Sequence, residues 1–140
     1  MDEWKVAICA ANHAFSQGEW GLAEHRYLDA CHCVQARLAA NDSQAEEVIA
    51  ALVVSFANLA ELYFQQGRME SGLGRYLELK AQLDSCRSHH RQCNRTQMML
   101  NCAERQMGTQ LLHALKTQGV APTTSQQLLH TVLAGNEVAH

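Results

Sequence analysis

The sequence predicts an all-α chain folded as three antiparallel helical hairpins, about six helices, with the last hairpin truncated. Three observations predict this. Apolar residues recur at the i, i+3, i+4, i+7 spacing of a buried helical stripe along almost the whole chain. Aromatic residues make up only 6% of the 140 positions and there is a single Pro, too little turn punctuation and aromatic content for an all-β fold. The dipeptide Gln-Gly occurs at Gln17-Gly18, Gln66-Gly67 and Gln118-Gly119, a repeat of about 50 residues. Each copy follows one long periodic stretch and precedes another, as the turn of a helical hairpin would.

The first stripe is Trp4, Ala7, Ile8, Ala11, Ala14 and Phe15, predicting a helix over 3–16. Trp20, Ala23, Tyr27, Ala30, Cys31, Val34 and Leu38 predict a second over 19–40. The third, 44–66, carries Ile49, Leu52, Phe56, Leu59, Ala60 and Tyr63. Its start has a capping box, Ser43 with Glu46, able to satisfy two orphan backbone N–H groups. The fourth, 69–87, is thinner and holds Met69, Leu73, Tyr76, Leu77 and Leu83. Leu100, Ala103, Met107, Leu111 and Ala114 mark the fifth, 95–118, with Asn94 and Gln97 as a weaker capping pair. Leu128, Leu129, Val132 and Leu133 mark a short sixth over 124–134, capped by Thr124 or Ser125 after Pro122. Paired through the Gln-Gly turns, these helices make hairpins over 3–40, 44–87 and 95–134 of one domain, 1–140.

Composition narrows the function classes. A chain that is 47% hydrophobic and 18% charged is globular rather than disordered. Its net charge of −3 provides no basic field for nucleic acid, and no aromatic residue after Leu77 offers a base-stacking platform. The N-terminus opens on Asp2 and Glu3 rather than on a basic signal-peptide start. The most apolar stretch, Val48 to Ala60, is too short for a bilayer span. These features predict a cytoplasmic protein without membrane contact, whose six Cys are thiols.

After each turn glycine comes a small residue, Ala23, Gly72 or Thr124, and then a large one, Tyr27, Tyr76 or Leu128. A small side chain lets two helices approach, and a large one fills the space a turn later. Gly72 is explained by this close approach, at about 1 kcal/mol of helix propensity; Gly74 is not. The strings Gln17-Gly18-Glu19-Trp20-Gly21-Leu22-Ala23 (with Tyr27 and Ala30) and Leu59-Ala60-Glu61-Leu62-Tyr63-Phe64-Gln65-Gln66-Gly67 (with Tyr76) resemble tetratricopeptide repeats. The resemblance covers 3–38 and 53–80 and is poor in the third hairpin. The family's usual period is about 34 residues, so these hairpins are longer than ordinary ones. A compact six-helix bundle with the same turn chemistry is the alternative fold.

The resemblance implies a peptide-binding face built from the first helix of each hairpin. Lys5, Asn12, Asn58, Glu61, Gln106, Gln110 and His113 are the residues expected to face it. Asn12 and Asn58 match the two Asn positions of the family's carboxylate clamp, but its cationic positions hold Ile8, Gln106 and Gln110. Without cations the clamp loses its charge-assisted bonds, leaving polar contacts to a peptide backbone. The competing reading makes Asn12 and Asn58 interhelical hydrogen-bonders.

A second cluster, Cys86, His89, His90 and Cys93, has thiolate and imidazole types suited to Zn²⁺. On one helical stripe these ligands would span about 10 Å, too far for one ion, so a bend between helices four and five would have to gather them. The competing reading is buried thiols beside a solvated turn. Arg87, Arg91 and Arg95 would form a basic ridge if helical, or a solvated turn balanced by neighbouring acids. No Ser, Cys, His or Asp stands in a catalytic signature, and Gly72-Leu73-Gly74 lacks the ending of a phosphate loop. The expected function is therefore non-enzymatic, an adaptor holding a protein or peptide partner and needing no cofactor. A metal- or redox-responsive protein and a self-associating structural protein, at its simplest a homodimer, are the alternatives.

Overall fold

Three turn glycines organise the chain. Gly18, Gly67 and Gly119 all adopt positive φ, 74°, 74° and 79°, the left-handed conformation that glycine reaches without penalty. At the first turn the Gly18 N–H donates to Phe15 O at 3.1 Å and the Glu19 N–H to Ala14 O at 2.9 Å. The second and third turns repeat the pair: Gly67 to Phe64 and Arg68 to Tyr63, then Gly119 to Lys116 and Val120 to Leu115. This is the Schellman closure, which satisfies carbonyls the helix end would otherwise orphan.

A computed structural model of the chain describes residues 1–40 and 45–134. Among these the fold is all-α, with six helices and no strand. They are α1 (Asp2–Ser16), α2 (Trp20–Ala39), α3 (Ala45–Gln65), α4 (Met69–His89), α5 (Asn94–Thr117) and α6 (Pro122–Ala134). Each glycine turn joins the helices of one hairpin: α1 with α2, α3 with α4, α5 with α6. The capping box at Ser43 falls outside the described residues. The two further caps differ from expectation. The N-cap of α5 is Cys93, because Gln97 is occupied elsewhere: its Nε2 donates to the Arg87 and His90 carbonyls at 3.1 and 2.8 Å, tying α5 to the end of α4. Helix α6 begins earlier, at Pro122, where a residue without an N–H is tolerated.

The hairpins stack in chain order. Helix α3 is the hub, packing on α1, α2, α4 and α5, while α6 packs on α5 and α4. This explains its composition: an 18-residue window within Glu46–Gln65 has a mean hydropathy of 1.6, and 72% of that window is buried within the array. It is longer than the Val48–Ala60 stretch and apolar enough to cross a membrane by length and composition, and its burial accounts for that apolarity. Fully buried Leu52, Phe56, Leu59, Leu62 and Phe64 come from α3, joined by Leu79 and Leu83 of α4 and Leu100, Met107, Leu111 and Leu115 of α5.

The small residue after each turn is buried at Ala23 and Gly72. In the third hairpin the register slips by one. Thr124 is exposed and Ser125 is buried, so Leu129 rather than Leu128 follows it at the tyrosine spacing. The extra residue lies between Gly119 and the first residue of α6.

Candidate functional site

Distance from the turn glycine defines equivalent positions on the first helices α1, α3 and α5. Asn12, Glu61 and His113 share one position; Cys9, Asn58 and Gln110 a second; Lys5, Val54 and Gln106 a third. All seven residues expected to face a partner therefore fall into three rows. Lys5, Asn12, Gln106 and His113 are exposed, and Asn58, Glu61 and Gln110 are half-buried. The rows also contain Cys9 and Val54, which polarity alone does not mark.

The rows meet at the seam of α1 and α3. Asn12 Oδ1 accepts from the Tyr27 hydroxyl at 2.6 Å and from Asn58 Nδ2 at 3.3 Å, so one carboxamide oxygen joins α1, α2 and α3. The two Asn residues are thus interhelical hydrogen-bonders. They also keep polar capacity: Asn12 Nδ2 and Asn58 Oδ1 engage no other described side chain, leaving one donor and one acceptor side by side. Along the rows, Glu61 accepts from Gln65 on its own helix at 2.9 Å. Gln110 Oε1 is buried without a hydrogen-bond partner. Burial pushes the Tyr27 hydroxyl up to about 12, so it remains a donor to Asn12 through the physiological range.

The structure does not gather the alternative metal cluster of Cys86, His89, His90 and Cys93. Among the described residues no group of three or more His, Cys, Asp or Glu could hold a metal ion. Cys86 is buried and burial pushes its thiol up, while His89 Nδ1 lies 2.8 Å from the Ser85 carbonyl of its own helix. Helix α4 ends at His89 and a turn follows, so Cys93 sits exposed at the cap of α5. There Thr96 Oγ1 donates to Cys93 Sγ at 3.1 Å. That bond, helped by the Thr96 and Arg95 backbone and the Arg95 charge, holds the Cys93 thiol below its usual range. The same turn dissolves the basic ridge: Arg87 belongs to α4, Arg91 to the turn and Arg95 to α5. Arg95 pairs with Glu46 of α3.

Two features were not anticipated. Lys80, 6% exposed, lies between Asp84 at 2.5 Å and Glu104 at 3.2 Å. Arg87 joins Glu104 at 2.8 Å and Asn101 at 2.9 Å, which locks α4 to α5. The second feature is an open trough of about 710 Å³ along α5 and α6, bordered by Met98, Arg105, Thr109, Leu112, Leu129 and Leu133. Met98 is 69% exposed there. Its sequence signal is the stripe Met98, Cys102, Arg105, Thr109, Leu112, a second face on a helix whose core face was already assigned.

Compared with known proteins, residues 2–139 match the family model described as protein of unknown function (DUF2753). The chain belongs to the DUF2753 family. That match spans all three hairpins, so family membership attaches to the whole array. No curated protein and no solved structure matches it.

Proposed function

We propose that this DUF2753 chain is a non-enzymatic interaction module, an adaptor of the cytoplasm that holds a protein or peptide segment along its row of first helices. The observation that carries this reading is the Asn12–Asn58 pair. Its free donor, Asn12 Nδ2, and free acceptor, Asn58 Oδ1, stand together at a helix seam, the complement of one peptide group. The polar rows on α1, α3 and α5 extend that seam over the three hairpins. The resemblance to tetratricopeptide repeats supports the same face, since that family commonly uses its first helices for peptides. The absent clamp cations favour a partner recognised through its backbone and polar side chains over one recognised through a terminal carboxylate.

The test is affinity purification from the native host with wild-type chain and with a variant carrying Asn58→Ala, Gln106→Ala and His113→Ala. Asn12 is left in place because Ala there would strand the Tyr27 hydroxyl, at about 1 kcal/mol. Loss of the captured partner from a variant that melts like wild type supports the proposal. Capture of the same partner by both chains retires it.

A further inference from the structure

Register shows how each hairpin covers the one before it. On the first helices, Trp4, Ile8 and Ala11 of α1 hold the same positions as Val53, Ala57 and Ala60 of α3. These positions face forward along the array: the Trp4 Nε1–H donates to Ser55 Oγ of α3 at 2.6 Å. Trp4 is half-buried and the other five are buried. In α5 the equivalents are Arg105, Thr109 and Leu112, the first two exposed and the third half-buried. On the second helices, buried Tyr27 and Cys31, then Tyr76 and Lys80, correspond after the one-residue slip to Leu129 and Leu133, which are only half-buried. The α5–α6 trough is therefore the forward face of the last hairpin, and none of the described residues covers it.

The opposite end presents the complementary half. Ser55 of α3 faces backwards onto Trp4, and Glu104 of α5 faces backwards onto Lys80 and Arg87 of α4. The residue of α1 equivalent to Ser55 and to fully buried Met107 is Val6, which is 71% exposed. The residue equivalent to Glu104 is Glu3, also exposed. A second trough of about 480 Å³ borders Glu3, Val6 and Ala10.

We propose that α1 of a second copy of this chain seats on the α5–α6 trough, head to tail, so that the joint between hairpins is repeated across the boundary between molecules. Charge agrees with this pairing. The Trp4 position meets the Ser55 position within the chain, so Arg105 of one copy meets Val6 of the next. Val6 follows two exposed carboxylates, Asp2 and Glu3, and one exposed ammonium, Lys5, so the segment is net acidic in its side chains. Among the described residues the Arg105 guanidinium donates to the Cys102 sulfur at 3.3 Å without an ion pair. Because the two faces differ, the contact is heterologous and does not close on a dimer by itself. It is also independent of the polar rows on α1, α3 and α5.

The test is sedimentation velocity of the full chain over a wide concentration range, with the single variants Val6→Arg and Arg105→Glu and a one-to-one mixture of them. Both positions are exposed, and matching circular-dichroism melts check the fold. Wild type should grow beyond a dimer as concentration rises. Each variant alone should be monomeric, with association weakened at least tenfold. The mixture should associate again, since each chain retains one intact face and the two substituted faces bring opposite charges together. A wild type that is monomeric throughout overturns the proposal. So does a variant that associates like wild type, or a mixture that stays monomeric. The Asn58, Gln106 and His113 variant should associate like wild type, so the two proposals fail separately.

Discussion

A Cβ placed on Gly72 would stand 2.9 Å from the ring of Phe64. Phe64 is 1% exposed and its ring centroid lies 6.4 Å from that of Tyr76, so the ring has nowhere to swing. Gly72→Ala should therefore destabilise the fold by about 1–3 kcal/mol despite alanine's better helix propensity. Two residues on, Gly74 has nothing within 4 Å of its would-be Cβ and does not adopt positive φ. Gly74→Ala should stabilise by about 0.5–1 kcal/mol. Urea titrations of the two variants should move their midpoints in opposite directions from wild type. Shifts of the same sign would reject this account of α4.

Glu104→Gln should cost about 1–3 kcal/mol, because it removes a charge partner from Lys80 while Lys80 stays in place. Replacing the exposed pair member Asp29 in the same way should change stability by less than about 0.5 kcal/mol. Equal losses in thermal melts of the two variants would show that the α4–α5 network is no more than a surface feature.

Alkaline pH should unfold the protein through the same interior groups. Burial lowers the pKa of Lys80, but its bonds and proximity to Asp84 and Glu104 outweigh that and raise it. Burial also pushes Tyr27 and Tyr63 up to about 12, with Tyr63 helped by its bond to Glu24. For each group the folded value exceeds the unfolded one, so the unfolded chain loses its proton first. The stability they contribute is complete below about pH 10 and falls as pH rises towards 12. A flat denaturation midpoint from pH 8 to about pH 11.5 would contradict this.

Cys93 should be the thiol that reacts before Cys31 and Cys86. It is exposed with a lowered pKa, whereas Cys31 is buried with a value pushed up to about 12 and Cys86 is raised by burial. Iodoacetamide labelling near pH 7.5, followed by peptide mass analysis, should find Cys93 modified while those two remain free. Thr96→Val should slow that labelling by removing the hydroxyl that donates to the sulfur.

Six helices and three turns were readable in the sequence because each rests on local physics. A positive φ demands glycine at Gly18, Gly67 and Gly119, and helical stripes repeat within a few residues. Distance from a turn glycine carries over between hairpins, which sets the seven polar positions in three rows. What stayed hidden depends on docking. Lys80 reads as a surface charge on α4 until Glu104 of α5 arrives beside it. Cys86 to Cys93 reads as a cluster until the turn after His89 separates its members. The slip from Thr124 to Ser125 comes from one extra residue at the last turn, where propensity alone does not say which small side chain will be buried.

The hub position of α3 has a dynamic consequence. Contacts in this array run chiefly between neighbouring elements, so opening need not be global. Among the described residues helix α6 rests chiefly on α5 and α4 and contributes few buried side chains, whereas α3 is held from several sides. Its amide protons should exchange slowest, at the free energy of complete unfolding, and those of α6 fastest. The protein then frays inward from its last hairpin, and anything that occupies the outer flank of that hairpin slows the exchange of the whole C-terminal third.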